Sequence, residues 1–259
     1  MDNVELNIAL VQTPLIWESP KENRAKFSKK FKELPQNTDL VILPEMFITG
    51  FTMTPDNVDR EEGQKTIDWM LKEAKTYDTA IMGSIPFYDN GDFYNRLFFV
   101  EANGTVSQYD KRHTFTLAGE DKVYTSGTER LIIGYKGFRV YPLICYDLRF
   151  PVWARNNDDY DVLVYVANWP KPRILAWDTL LKARAIENMS YCVGVNRCGF
   201  DNAGYEYSGH SAVYDCLGEQ IVYAETETIL YATLNKNHVS KTRGKLKFLQ
   251  DRDGFTLKS

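Results

Sequence analysis

Eleven short runs of β-branched and apolar residues punctuate this chain, and several are apolar at nearly every position: 7–11, 40–43, 80–85, 94–100, 131–133, 140–145, 162–167, 192–195, 212–214, 220–223 and 229–234. A strand with one wet face alternates, so a run such as Val162-Leu163-Val164-Tyr165-Val166-Ala167 belongs to a sheet covered on both faces. Helical spacing appears between some of the runs. Ser19-Pro20 sets a cap residue and a first-turn proline before a helix that continues to Leu34. Glu61 to Tyr77 puts Ile67, Met70, Leu71 and Ala74 on one stripe, and Ile174 to Met189 does the same with Leu180, Leu181, Ala183 and Ile186. Segments 91–137 and 209–218 read as hairpins. The architecture that covers these strands is an α/β fold of two packed sheets with helices outside each, a four-layer α-β-β-α sandwich.

At 259 residues, with no linker or repeat, the chain is expected to form a single domain over 1–259. Hydrophobic residues at 44% and charged residues at 25% exclude a disordered chain, and no apolar run is long enough for a membrane helix. A net charge of −4 offers neither nucleic acid nor an anionic membrane an electrostatic reason to bind. The opening Met1-Asp2-Asn3-Val4-Glu5-Leu6 lacks the basic front of a signal peptide, and Cys145, Cys192, Cys198 and Cys216 are too sparse for a disulfide scaffold. A cytoplasmic protein is expected. His113, His210 and His238 lie far apart with no ligand spacing, and no glycine-rich phosphate loop occurs, so neither metal nor cofactor is expected. The tail 237–259, with Lys241, Arg243, Lys245, Lys247 and Arg252, has too little apolar periodicity for a core element. It reads as a loose end or as an arm that packs on another subunit.

Whatever chemistry occurs must then come from side chains at strand ends. Cys145 closes the run Tyr141-Pro142-Leu143-Ile144 and is followed at once by Tyr146-Asp147-Leu148-Arg149. A free cysteine is ordinarily a small core hydrophobe. The abrupt change to polar residues argues instead for a strand that delivers a thiol into a sharp turn. A thiol is scarcely ionised near neutrality without a base or a cation, and amide chemistry also needs a proton donor for the leaving amine. Glu45, launched by Val41-Ile42-Leu43-Pro44, offers a carboxyl among apolar neighbours, which suits it for proton transfer; Lys111 in Tyr109-Asp110-Lys111-Arg112-His113 offers a cation. Taken singly each reads as a solvated charge. All three end strands, and strand ends on one edge of an α/β sheet are where sites converge.

With Leu43-Pro44-Glu45, Tyr109 to His113 and Leu143 to Pro151 in the order Glu, Lys, Cys, the chain resembles the nitrilase superfamily of carbon-nitrogen hydrolases. The segments 181–188, 194–199 and 208–211 are similar to that family's later elements. The resemblance implies the same four-layer sandwich, homodimers with a swapped C-terminal arm, and a small-molecule amide as the only partner besides a second copy. It also implies that Cys145 is the nucleophile, Glu45 the base, Lys111 and the Tyr146 backbone N–H the donors to the oxyanion, and Glu120 a second carboxylate placed before Gly127.

Within the family, Asn168-Trp169-Pro170 with Arg173 and Trp177 looks like a bacterial omega-amidase branch that deaminates 2-oxoglutaramate or 2-oxosuccinamate. Arg173 then becomes the candidate for the substrate carboxylate, although a surface arginine at a helix start is an equal reading. Phe115 and Trp169 are candidates for pocket walls. Arg149 is expected to hold the turn through a carboxylate, His113 and His210 to orient loops, and the other three cysteines to pack. Three readings stay open beside the omega-amidase: action on another small amide, carbamoyl compound or nitrile, a silent scaffold, and a redox thiol sensor, although no resolving cysteine is near Cys145 in sequence.

Overall fold

A computed structural model describes residues 4–257. Met1 to Asn3 of the opening segment and Lys258 and Ser259 of the tail lie outside the described residues. Along the chain the strands are β1 (Glu5–Gln12), β2 (Leu40–Ile42), β3 (Ala80–Asp89), β4 (Asp92–Val100), β5 (Val106–Asp110), β6 (Ile133–Tyr135) and β7 (Phe138–Ile144). They continue with β8 (Val162–Ala167), β9 (Tyr191–Asn196), β10 (Cys198–Phe200), β11 (Glu206–Ser208), β12 (Ser211–Tyr214), β13 (Gln220–Ala224) and β14 (Thr228–Asn235). The helices are α1 (Pro20–Phe31), α2 (Glu62–Tyr77), α3 (Pro151–Ala154), α4 (Ile174–Asn188) and α5 (Lys236–Leu246).

Two six-stranded mixed sheets result, one in the order β14-β1-β2-β3-β4-β5 and the other β13-β12-β9-β8-β7-β6, with β10 and β11 paired apart. Each sheet has three parallel strands at its heart, β1-β2-β3 and β7-β8-β9, flanked by antiparallel pairs. Alternation divides β1 between two cores. Leu6, Ile8 and Leu10 join the core formed with the second sheet, while Ala9 and Val11 join Phe27 and Phe31 of α1 and Met70 and Ala74 of α2. Helices therefore cover the outer face of the first sheet, and α4 covers the second. There Leu181 and Trp177 approach so closely that a Cβ on Gly194 would sit 2.4 Å from one and 2.7 Å from the other. The expected sandwich is the observed one.

Ten of the eleven runs coincide with strands, whereas 131–133 meets β6 only at Ile133, and three strands do not show as runs: β5 has exposed or half-buried positions because it is a sheet edge, and β10 and β11 span three residues each. Two local expectations change. Ser19 makes no side-chain cap bond to α1. On α4 the buried stripe is Trp177, Leu181, Arg184, Ala185 and Asn188, whereas Ile186 is 47% exposed, because two polar residues take part in the buried face. The tail also differs in part from a loose end. Its first portion is α5, held to its own chain by buried Val239 and by Arg243, which donates from Nε to the Met189 carbonyl at 2.8 Å and from Nη2 to the Tyr160 carbonyl at 2.5 Å. One apolar residue and one guanidinium suffice here, so no apolar stripe marks the helix. Among the described residues no helix is long and apolar enough to cross a membrane.

Candidate active site

The site forms where the carboxyl ends of β2, β5, β7 and β8 meet between the sheets, as expected for ligands of open α/β sheets. After β2 the backbone turns sharply: Met46 has φ 44°, its N–H donates to Ser84 Oγ at 3.0 Å, and the Phe47 N–H donates to the Ser84 carbonyl at 3.1 Å. That elbow sets Glu45 inward. At the end of β7, Cys145 itself takes φ 43°, a left-handed conformation that costs an L-residue energy and recurs at functional turns.

Asp147 joins two of these strand ends. Its Oδ2 accepts the Ile144 N–H at 3.1 Å and the Tyr109 hydroxyl at 2.8 Å, and its Oδ1 accepts the His113 N–H at 2.9 Å and lies 2.8 Å from His113 Nδ1. Because this buried carboxylate ties β7 to the segment after β5, Cys145 and Lys111 arrive at one place. Arg149, expected to hold the turn through a carboxylate, does not: it is exposed, pairs with no carboxylate among the described residues, and lies over the Trp169 ring at 4.9 Å. Asp147 already fills the turn-holding role, which leaves the guanidinium free to face outward.

Glu45, Lys111 and Glu120 form one buried cluster, none more than 1% exposed. Lys111 Nζ donates to Glu45 Oε1 at 2.8 Å and to Glu120 Oε1 and Oε2 at 2.9 and 2.8 Å. Asn95 Nδ2 donates to Glu45 Oε1 at 2.8 Å and Glu120 Oε1 at 3.0 Å, while Glu45 Oε2 accepts the Asn168 N–H at 2.8 Å. Glu120 also accepts the Phe115 N–H at 2.5 Å, so it is not a solvated loop carboxylate. Burial alone would neutralise Lys111, but Glu120 and Glu45 outweigh it and raise its pKa well above the lysine range. Burial pushes the Glu120 carboxyl up; Lys111 opposes this and Glu45 adds to it.

The Cys145 thiol lies within reach of the Glu45 charge, and burial, reinforced by Glu45 and opposed by Lys111, pushes its pKa well above the thiol range. Such a thiol stays protonated at rest and needs a base in contact with it.

Above the cluster opens a cavity of about 270 Å³, small for a ligand site, with Cys145 and Tyr146 on its floor. Phe115, Trp169 and Arg173 line it, as does Arg149. Arg173 lies over the Phe115 ring at 5.0 Å and, like Arg149, pairs with no carboxylate among the described residues. The cavity's one acidic lining residue, Asp201, is engaged by the Ala203 and Tyr205 N–H groups and the Tyr207 hydroxyl. The cavity is therefore a pocket with two unpaired guanidiniums. Every site residue named from the sequence lies in the cluster or around this cavity; Asn95, Asp147 and the clamp from Asn168 were missed.

The family model for carbon-nitrogen hydrolases matches residues 7–244. The chain belongs to the carbon-nitrogen hydrolase family. An omega-amidase, YafV of Yersinia enterocolitica, is 41% identical over 97% of this chain and 98% of its own. A 2-oxoglutaramate amidase of Bacillus subtilis (strain 168) is 30% identical over 94% and 96%. Among solved structures, XC1258 of Xanthomonas campestris, a CN-hydrolase superfamily protein with an arsenic adduct in its active site, superposes with a TM-score of 0.95, 38% identity and full coverage of both chains. As a carbon-nitrogen hydrolase, the protein is an enzyme, which sets aside the silent scaffold. Across this family match, Glu45, Lys111 and Cys145 all fall within the matched residues.

Proposed function

We propose that the protein is a cysteine-dependent amidase that hydrolyses the terminal amide of a small 2-oxo acid, 2-oxoglutaramate or 2-oxosuccinamate, to the dicarboxylic acid and ammonia. One observation carries the reading: Cys145, beside the buried cluster of Glu45, Lys111 and Glu120, opens into a small cavity that holds two guanidiniums without counter-ions. The names borne by the Yersinia and Bacillus relatives support it.

Glu45 takes the thiol proton as sulfur bonds to the amide carbon, and the carbonyl oxygen becomes an oxyanion beside the Lys111 charge and the Tyr146 N–H. The carbon–nitrogen bond then breaks, and Glu45 passes its proton to the departing nitrogen, which leaves as ammonia. A thioester remains on Cys145. Water gives a proton to Glu45 and its oxygen to the acyl carbon; the carbon–sulfur bond breaks and the thiol regains its proton. Glu120 holds Lys111 throughout. At the far side of the cavity Arg173 and Arg149 present planar donors to the substrate carboxylate, and Phe115 and Trp169 keep those donors in place.

Incubation with 2-oxoglutaramate, glutamine, an N-carbamoyl amino acid and a nitrile tests this, read by ammonia release and by the mass of an acyl group trapped on Cys145. Release from the keto amide, and none from a folded Cys145→Ala variant, is expected. Ammonia from the alanine variant would end the cysteine mechanism, and release from the nitrile or carbamoyl compound alone would end the substrate assignment.

A further inference from the structure

Asn95 sits inside β4, opposite Pro86 of β3 and one residue before the pairing with β5 begins at Arg96, with 1% of its surface exposed. Its side-chain nitrogen reaches both carboxylates of the cluster, and its backbone carbonyl accepts the Lys111 N–H at 3.0 Å. One residue thus touches all three charged partners. The amide cannot be turned around, because Glu45 Oε1 and Glu120 Oε1 each already accept a proton from Lys111 and can only accept again. Its oxygen is therefore directed away, where it is buried with no hydrogen-bond partner. A buried acceptor without a partner is costly, and native structures keep few of them. The amide is retained for what its nitrogen does.

The cluster holds two carboxylates and one ammonium. Like charges that share a buried site drive one carboxyl to keep a proton, and burial pushes Glu120 in that direction. If a proton settled between Glu45 and Glu120, the base would be lost. A second cation would keep both carboxylates ionised, but it would also hold Glu45 too firmly as an anion to take the thiol proton. A neutral donor that bridges both stabilises the two anions without adding charge.

We propose that Asn95 is a positioning residue for catalysis: its two N–H donors hold Glu45 and Glu120 ionised around Lys111 and keep the Glu45 carboxylate on the Cys145 thiol. This rests on Glu45 serving as base to Cys145. Other titratable groups that face the cluster are Cys145 itself and Tyr124, whose hydroxyl is committed to the Thr52 carbonyl at 2.9 Å.

The test compares Asn95→Asp and Asn95→Ala with the wild type in two assays, turnover of 2-oxoglutaramate and alkylation of Cys145 by iodoacetamide. The second needs no knowledge of the substrate, so failure of the substrate assignment leaves it decisive. In N95A, kcat falls roughly 10- to 100-fold at neutral pH, the loss of a hydrogen bond to a charged group, while KM stays unchanged because Asn95 does not line the cavity.

N95D keeps the shape but adds a third carboxyl, so at about pH 9 both rates fall at least as far. Toward about pH 6 the added carboxyl takes a proton and returns an O–H donor, so the mutant-to-wild-type ratio climbs in both assays. A residue that merely fills space gives no such climb. Wild-type rates in folded N95A, or an N95D ratio that stays flat across pH, would overturn the proposal. If N95A does not fold, N95D alone decides.

Discussion

Replacement of Lys111 by methionine tests the electrostatic construction of the site without reference to any substrate. The ammonium lies 2.8–2.9 Å from three carboxylate oxygens, and all three residues are buried. Removal of one partner from a buried ion cluster costs about 3–5 kcal/mol, since the remaining charges stay desolvated. For a chain of this length each kcal/mol moves Tm by roughly 2–4 °C, so K111M should melt about 6–20 °C below the wild type at neutral pH.

The sign of the pH dependence follows from which state holds the proton. Without the ammonium, one carboxyl retains a proton in the folded state at pH values above the ordinary glutamate 4.5, so the folded mutant binds more protons than its unfolded chain. Stability gained this way is fully present below that value and is lost as pH rises, so the Tm deficit shrinks between about pH 8 and pH 5. In the wild type the raised Lys111 pKa contributes stability that is constant below 10.5 and lost only as pH rises beyond it, so Lys111 itself adds no pH dependence in that window.

The double variant K111M/E120Q removes one of the two unpaired carboxylates and should regain most of the lost Tm, yet remain inactive. Thermal melts followed by circular dichroism at the two pH values decide the matter. A K111M melt within about 2 °C of wild type at neutral pH, or a double variant as unstable as the single, would refute the account of a mutually dependent buried cluster.

Two further substitutions probe the cavity and the strand end that carries Lys111. Arg149→Ala and Arg173→Ala should each raise KM for 2-oxoglutaramate roughly 10- to 100-fold, as expected for a lost charge-assisted bond, and leave kcat/KM for an uncharged short amide unchanged; steady-state kinetics with both substrates checks this. Gly127 donates its N–H to the Lys111 carbonyl at 2.9 Å, and a Cβ there would lie 2.2 Å from the Asp110 carbonyl oxygen. Gly127→Ala should therefore cost about 1–3 kcal/mol by melting and lower kcat through Lys111, whereas Gly134→Ala, with open space around it, should leave kcat unchanged.

The parts of the site that could be read in sequence are those with a local signature. Cys145 and Glu45 each follow an apolar strand, and a reactive group at a strand end looks the same in one dimension as in three; Lys111, after the polar edge strand β5, was marked by the order Glu, Lys, Cys. Asn95 was invisible because it and Arg96 are two adjacent polar residues near the start of the run Tyr94 to Val100, with nothing local to set one apart; only the tertiary contacts reveal two carboxylates at the Asn95 side chain. The exchange of roles between Asp147 and Arg149 has a similar cause. Both follow the thiol within four residues, and which one turns inward depends on Tyr109 and His113, more than thirty positions away.

The sequence by itself determined the layers and the reactive groups, since strand length, apolar continuity and helical spacing are properties of consecutive residues, and burial of every apolar run leaves few architectures open. Tertiary structure alone decided which charges neutralise one another and which are left for a ligand. Coulomb attraction and hydrogen bonding act over a few ångströms, and at this site those ångströms separate Glu45, Asn95, Lys111, Glu120, Cys145 and Asn168, which only the packing of two sheets brings together.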